Sequence, residues 1–315
     1  MMHTVSLSFP LEGPERSGRR PQVLAIGDFD GVHLGHQEVI RLAVERGREL
    51  DSGAAIMTFH PHPRELLGMK HYVQLLTPLA LKHEVLSGLG VDMTYVVEFN
   101  ESFMRVSPED FVEHMLVPLG LDTVFVGFDF TFGYKGAGTP DTLCELAKGR
   151  FAVEIVRPFH LHGDKVSSTR IRSCLQAGDV REAAELLGRA YELQGDVVHG
   201  DARGRTIGYP TANIALSDPY VLPANGVYAV EVFARGRWHG AVMNVGVKPT
   251  FTDGLLQPTL EAHLFDFSET IYGERVKVRL VDYIRAERKF ASIQELIAQI
   301  GQDADRAKQT LMEKK

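Results

Sequence analysis

The sequence predicts a two-part chain: an α/β half built on a parallel sheet, followed by an all-β half closed by a C-terminal helix. Two observations predict it. From Gln22 to about Arg157, short β-branched or aromatic runs alternate with helix-like segments, the alternation that produces a parallel sheet with helices on both faces. Beyond Leu187–Tyr191 the texture changes to strand-like runs parted by glycine-rich turns, an antiparallel pattern. The 315 residues suffice for two domains with sizeable cores, and the change of texture divides them as 1–187 and 188–315.

In chain order, VLAIGDF (23–29), AAIMTFH (54–60), MTYVVEF (93–99), TVFVGFDF (123–130) and FAVEIVRPF (151–159) each read as a buried strand. Thr77-Pro78, Ser107-Pro108 and Thr139-Pro140 each offer a cap residue with proline at the first helical position. The acidic residues of SPEDFVEH suit the positive end of a helix dipole. SSTRIRSCLQAGDVREAAELLGR (167–189) reads as two helices broken at Ala177-Gly178-Asp179. In the second half YELQGDVVHG, GVYAVEVFARGRWHGAVMNVG, TLEAHLFDF and ERVKVRLVDYI are strand-like. The tail is an amphipathic helix, with Ser292 and Glu295 spaced as a capping box.

Composition excludes some classes. The balance of 34 Lys+Arg against 41 Asp+Glu argues against a nonspecific nucleic-acid binder. No apolar run approaches the roughly 18 residues that span a bilayer, and the first twenty residues are too polar and too broken by Pro and Gly for a signal peptide. Cys144 and Cys174 lack CxxC spacing and read as free thiols of a reducing compartment, so the expected location is cytoplasmic.

The stretch GDFDGVHLGHQEVI (27–40) sits where the first of these strands turns into a helix. Glycine lets the backbone turn tightly and approach a ligand. A helix N-terminus offers unpaired N–H groups and a positive dipole end to an anion. His33 and His36 add donors able to follow charge along a triphosphate, and open α/β sheets bind ligands at strand C-terminal ends. A bare HxxH is more often a pair of surface histidines, and a metal would need partners that no recognisable zinc spacing provides. The preceding strand and the FDG turn favour the nucleotide reading.

GDFDGVHLGH, HPHPRELL (60–67), VGFDFTFGYKGAG (126–138) and SSTRIR (167–172) together resemble the FMN adenylyltransferase module of prokaryotic bifunctional FAD synthetases, in family order. The resemblance implies a Rossmann-like nucleotidyltransferase domain. It implies that His33 and His36 contact the ATP phosphates, within a nucleotide site that takes in Gly27, Phe29, Asp30 and Gly31. Ser168, Thr169 and Arg170 or Arg172 would clamp the phosphates from the far side, Asp129 would help seat the nucleotide, and Arg64 would be a phosphate or flavin-side contact. Ser167 and Ser168 would also cap a helix whatever the function.

The second half carries GDARGRTIGYPTANI (200–214). It lacks GxxxxGK[ST], so it is no P-loop. Gly200, Gly204 and Gly208 suit a phosphate cradle. Thr211 and Asn213 face one side of a strand and present hard oxygens that suit Mg²⁺, although PTAN alone reads as a strand with satisfied polar side chains. With NVGVKPTF (244–251), TLEAHLFDF (259–267), IYGERVKV (271–278) and IRAERKFASIQELIAQIGQDADRA (284–307), the segment resembles the riboflavin kinase module of the same enzymes. That resemblance implies a six-stranded Greek-key barrel with a terminal helix. It also implies an ATP site at Gly204, Gly208, Pro210, Thr211 and Asn213, with Mg²⁺ on the last two. Arg285 would be a flavin or phosphate contact, and Glu261 the base that takes the proton of the ribityl 5′-hydroxyl. Period-two alternation puts Glu261, His263 and Phe265 on one face, where Glu261 has pairing with a surface cation as its alternative. The family's LGRPY linker phrase is LGRAY here, with Ala190 in place of proline.

The expected chemistry is riboflavin to FMN and FMN to FAD, with ATP as co-substrate of both reactions and ADP and pyrophosphate as products. The expected partners are these small molecules, with no nucleic acid and no membrane, and weak self-association left open. A different acceptor for the first site, or a non-catalytic flavin binder, are the competing readings.

Overall fold

Six parallel strands make the sheet of the first half: His3–Leu7 (β1), Gln22–Ile26 (β2), Ala54–His60 (β3), Met93–Glu98 (β4), Leu121–Gly127 (β5) and Ala152–Val156 (β6), in the order β1-β4-β3-β2-β5-β6. Every strand read from the sequence forms; β1 is an addition, an edge strand paired with β4. The computed structural model describes residues 2–11, 22–66, 73–200, 204, 207–249 and 256–313, with Arg64, Lys248, Pro249, Leu256 and Gln257 described by their main chain alone. Parts of three expected motifs, residues 67, 201–203, 205–206 and 250–251, lie outside the described residues.

β2 is buried along its whole length, because alternate residues feed two cores. Val23 and Ala25 join Ile40, Ala43 and Val44 of the helix Leu34–Glu49 (α1) and Leu86 of the helix Leu79–Gly88 (α3), where Pro63–Leu66 is α2. Leu24 and Ile26 pack on the other face with Tyr95, Phe111 and Leu143, the last two from Pro108–Phe111 (α4) and Pro140–Leu146 (α5). Strand order reverses between β2 and β5, so the C-terminal ends of these two strands form the switch point where open α/β sheets bind ligands.

Ser107 and Thr139 cap as expected, accepting from Asp110 N and Thr142 N. Thr77 does not. Pro78 stands at the cap of α3 with no side-chain bond, and the Thr77 amide donates instead to Asp30 Oδ1 at 3.1 Å. The helix therefore starts one residue later than expected, and the Thr77 main chain is tied to a carboxylate distant in the chain.

By backbone proximity the chain divides into Met1–Ser168 and Thr169–Lys315. The helices Ser168–Ala177 (α6) and Val180–Leu187 (α7) are broken where expected, with Gly178 at φ +83 and Asp179 capping α7. Apart from Ser168 they fall in the second unit, where Arg181 pairs with Asp282 at 2.8 Å and the Gly178 Cα faces the Tyr283 ring.

After the short hairpin His160–Leu161 (β7) and Asp164–Lys165 (β8), the remaining strands form a closed antiparallel barrel. They are Tyr191–Val198 (β9), Ala212–Leu216 (β10), Gly226–Ala234 (β11), Arg237–Pro249 (β12), Leu256–Leu264 (β13) and Arg275–Arg285 (β14). The ring order is β10-β13-β12-β11-β14-β9. Strands β11, β12 and β13 follow as hairpins and β14 returns beside β11, which is Greek-key connectivity. Leu193, Tyr228, Val230, Met243, Leu260, Ala262 and Val278 fill the interior. Outside, Val227, Ala229, Val242, Val281 and Ile284 are covered by Ala304 and Ala307 of the terminal helix Ile293–Glu313 (α8). The capping box forms one residue outward: Glu295 N donates to Ser292 Oγ, and the Glu295 carboxylate accepts from Ala291 N.

Candidate active sites

The first site grows from the turn after β2. Gly27 N stays in the sheet by donating to Met57 O at 3.1 Å. The chain then enters the left-handed region three times in four residues, at Phe29 (φ +48), Gly31 (φ +90) and Val32 (φ +41). Glycine takes that conformation freely, but a phenylalanine and a β-branched valine hold it against strain of order 1–3 kcal/mol each. Both side chains are anchored in the core, at 1 % and 0 % exposure. The ring of Phe29, a residue expected among the nucleotide contacts, packs in the core under Gly27.

His33 is the N-cap of α1. Its Nδ1 accepts from the His36 amide at 3.2 Å, a duty usually performed by Ser, Thr, Asp or Asn. An imidazole nitrogen that accepts carries no proton, so the proton sits on Nε2. Burial lowers the His33 pKa to about 4, against the partial counter-effect of Asp30. The ring is thus a neutral Nε2–H donor at the end of a helix. His36 stacks on it with centroids 3.6 Å apart and touches Phe29 edge-on. Gly35 explains the spacing, because a Cβ there would lie 3.3 Å from the His33 ring.

Asp30 faces inward. It is 3 % exposed, and its Oδ1 accepts from the amides of Leu76 and Thr77 at 2.9 and 3.1 Å. Its carbonyl accepts from Ser168 Oγ at 2.9 Å, so Ser168 ties the start of α6 to the turn. Asp129, just beyond β5, pairs with Lys165 at 2.6 Å, and the charges of both act on His33. Lys165 was not read from the sequence; its signal is the HGDK turn of the β7–β8 hairpin. His62 is buried with Nε2 3.8 Å from Asp28 Oδ2. The Arg64 side chain lies outside the described residues. Thr169, Arg170 and Arg172 belong to the second unit: Arg170 Nε donates to Glu182 at 3.1 Å, and Arg172 is 8 % exposed.

The second site lies on the outer surface of the barrel. Asn213 on β10 and Asn244 on β12 are both directly opposite Glu261 on β13, so three polar side chains cross three strands in one row. Their neighbours Leu260 and Ala262 point inward and are buried, while Glu261, His263 and Phe265 share the outer face, as alternation predicts. Asn244 Nδ2 donates to Glu287 Oε1 at 3.2 Å. Gly200 lies against the Asn213 amide, where a Cβ would come within 2.3 Å of Nδ2. Gly204 is equally confined, 2.3 Å from Tyr209 O by the same measure, and it accepts from the Tyr209 amide at 2.8 Å. Gly208 takes φ +86, and Pro210 gives its carbonyl to His263 Nδ1 at 2.8 Å. This brings Thr211 to the edge of β10. Arg285 is held by Asp303, with Nη2 2.7 Å and Nε 3.0 Å from the carboxylate.

Residues 15–170 match the family model of FAD synthetase, and residues 187–311 that of riboflavin kinase. The chain is 44% identical over 287 residues to the bifunctional riboflavin kinase/FMN adenylyltransferase of Bacillus subtilis, over 90% of this chain and 91% of that protein. It is 41% identical over 303 residues to the protein of the same name from Listeria monocytogenes, over 96% of each. A crystal structure of a Streptococcus pneumoniae protein described as a macrolide-efflux protein superposes with a TM-score of 0.86 at 35% identity, over 96% of this chain and 97% of that one. Among the described residues of the present chain no helix is long and apolar enough to cross a membrane. With both halves matched in order and relatives aligned almost end to end, the chain belongs to the family of bifunctional riboflavin kinase/FMN adenylyltransferases.

Proposed function

We propose that the family's two reactions are divided between two functional modules, 1–187 and 188–315, each run by the residues just described. The observation that carries this is a chemical contrast. The first unit gathers a stacked pair of imidazoles at a helix N-terminus, and the second lines up a carboxylate between two asparagines on an open barrel face.

FMN adenylylation suits the first arrangement. A phosphate oxygen of FMN bonds to the α-phosphorus of ATP as the α–β bridging P–O bond breaks, and pyrophosphate leaves. The nucleophile is already an anion, so the site needs positioning and charge neutralisation and no strong base. His33 supplies a donor that stays neutral at pH 7, His36 a second ring beside it, and Lys165 a cation near Asp129. Gly27 and Gly31 shape the turn, while Asp30 fixes it from below. Ser168, Thr169 and Arg170 or Arg172 complete the phosphate clamp in this proposal, with Arg64 toward the flavin.

Riboflavin phosphorylation suits the second. The 5′-hydroxyl oxygen bonds to the γ-phosphorus, its proton passes to Glu261, and ADP leaves. Gly204, Gly208, Pro210, Thr211 and Asn213 hold ATP. The donor set fits Mg²⁺: a hydroxyl and an amide oxygen are hard ligands, and the bare Cα of Gly200 lets the Asn213 amide settle at that edge. Mg²⁺ on Thr211 and Asn213 would neutralise phosphate charge. Arg285, oriented by Asp303, is proposed as the flavin or phosphate contact. The chain is proposed to work in the cytoplasm on these small molecules.

Chromatography of flavins from full-length Glu261→Gln tests the division. FMN formation from riboflavin should fall at least about 100-fold, while FAD formation from added FMN persists. Loss of both reactions in a folded variant would overturn the assignment.

A further inference from the structure

Lys82 is fully buried, yet no step of either reaction uses it. It lies in α3, in LALKHEV, where a lysine beside leucines reads as the solvated side of a helix. Instead its Nζ points under the turn after β2, donating to the carbonyl of Asp28 at 2.6 Å and to Thr58 Oγ1 at 3.2 Å. Thr58 closes the triangle: its hydroxyl donates to the same Asp28 carbonyl at 3.0 Å, so its lone pair receives the ammonium. Asp30 and Asp28 are the charges acting on Lys82, and burial lowers its pKa.

Burying an ammonium costs several kcal/mol, and well-packed apolar residues are often as stable in such a place. The turn it meets is the strained one. Of the four residues after Asp28, three are left-handed, and two of these are not glycine. Such a conformation persists only when its surroundings over-determine it. The clamps run along the turn: Lys82 and Thr58 on the Asp28 carbonyl, Val32 N on that of Phe29, Ser168 Oγ on that of Asp30, and Gln37 Nε2 on that of Val32. The first of them sits at the exit from β2, and it alone brings a full positive charge.

We propose that Lys82, with Thr58, is a positioning residue of the adenylyltransferase site, holding the Asp28 carbonyl so that the strained turn presents His33 and His36 to the phosphates. Lys82 touches no substrate in this role. The inference rests on the first unit being the adenylyltransferase, an assignment that loss of FAD formation in Gly35→Ala, which acts through the His33 ring and not through Lys82, tests separately.

The test uses the full chain, whose riboflavin kinase activity reports on the other unit. Lys82→Met keeps the length of the side chain and removes the donor; Thr58→Val keeps shape and removes the hydroxyl. For Lys82→Met, kcat of FAD formation from FMN should fall about 100-fold, the scale of an ångström's misplacement. KM for FMN should stay within about threefold, and riboflavin phosphorylation should be unchanged. Thr58→Val should lose about fivefold, with native protection of α1 amides in hydrogen exchange. Because both donors serve one carbonyl, the double variant should be no worse than Lys82→Met, a non-additivity expected only of groups that share a partner. A native kcat in Lys82→Met, or factors that multiply in the double variant, would overturn the proposal. If Lys82→Met loses α1 protection altogether, Thr58→Val decides alone, and a native kcat there would refute it.

Discussion

Replacing His33 by asparagine and by alanine separates two duties of one ring. At neutral pH the imidazole acts as helix cap, accepting the His36 amide at 3.2 Å. Losing a cap costs about 1 kcal/mol, so alanine should destabilise α1 by that amount, while asparagine, itself a capping residue, should lose less than about 0.5 kcal/mol. The second duty appears in acid. Burial holds the folded pKa at about 4 against 6.5 for the free side chain, so protons favour the unfolded chain. The stability linked to His33 is complete above pH 6.5 and is lost as pH falls toward and through 4. Each pH unit inside that window is worth about 1.4 kcal/mol, which sums to about 2 kcal/mol between pH 7.5 and 5. Both substitutions should remove that part of the acid slope, since neither new side chain titrates. Hydrogen exchange of the Leu34–Glu49 amides at pH 7.5 and 5, corrected for intrinsic rates, reads both quantities in the unit concerned. Equal protection of the two variants at pH 7.5, or an undiminished acid slope in His33→Asn, would refute the cap and the buried neutral ring respectively.

Gly35→Ala should lower FAD formation about tenfold and leave riboflavin phosphorylation intact, because the new methyl would sit 3.3 Å from the His33 ring and push it by a few tenths of an ångström; assaying both reactions on one preparation checks this. Asp303→Asn removes the carboxylate that holds Arg285 against the barrel, leaving a partly buried guanidinium uncompensated. It should destabilise the second unit by about 3 kcal/mol, read by urea unfolding followed at Trp238, the single tryptophan, which stacks on Arg279 at 3.8 Å.

The elements legible in the sequence were those fixed by local pattern. The inner strands β2 to β5 are mostly apolar runs, because a parallel sheet is covered on both faces, whereas β6 is a largely exposed edge strand legible from its β-branched residues despite Glu154; the HxGH turn is a local arrangement of cap, glycine and ring. β1 escaped because HTVSL is an edge strand with Leu7 alone buried, so no apolar run marks it. The helix expected from Thr77-Pro78 starts one residue later, with Pro78 at its cap, and the local pattern does not show that a carboxylate 47 positions earlier accepts the Thr77 amide. Lys165 and Lys82 escaped for the same reason. Each is defined by a partner distant in the chain, Asp129 for one and Asp28 with Thr58 for the other, and a lysine without its partner looks like surface. Glu261 was placed on the correct face by alternation, but that its neighbours are Asn213 and Asn244 is a matter of register, which period two does not encode.

In the proposed division of labour, the two sites differ in the way their reactions require. A hydroxyl attacking phosphorus must lose a proton, and Glu261, the proposed base, lies on a partly exposed barrel face between Asn213 and Asn244. A phosphate attacking phosphorus has no such proton to lose, and a base near it would add negative charge where charge already accumulates. There the side chains are turned the other way: the Asp30 carboxylate is buried against backbone amides, Asp129 is paired with Lys165, and the histidine nearest the helix end is held neutral with its proton on Nε2. Burial and the cap bond together make the His33 ring a fixed, neutral donor. On this proposal the two environments are not interchangeable, a reason for one chain to carry two folds rather than one site with two substrates.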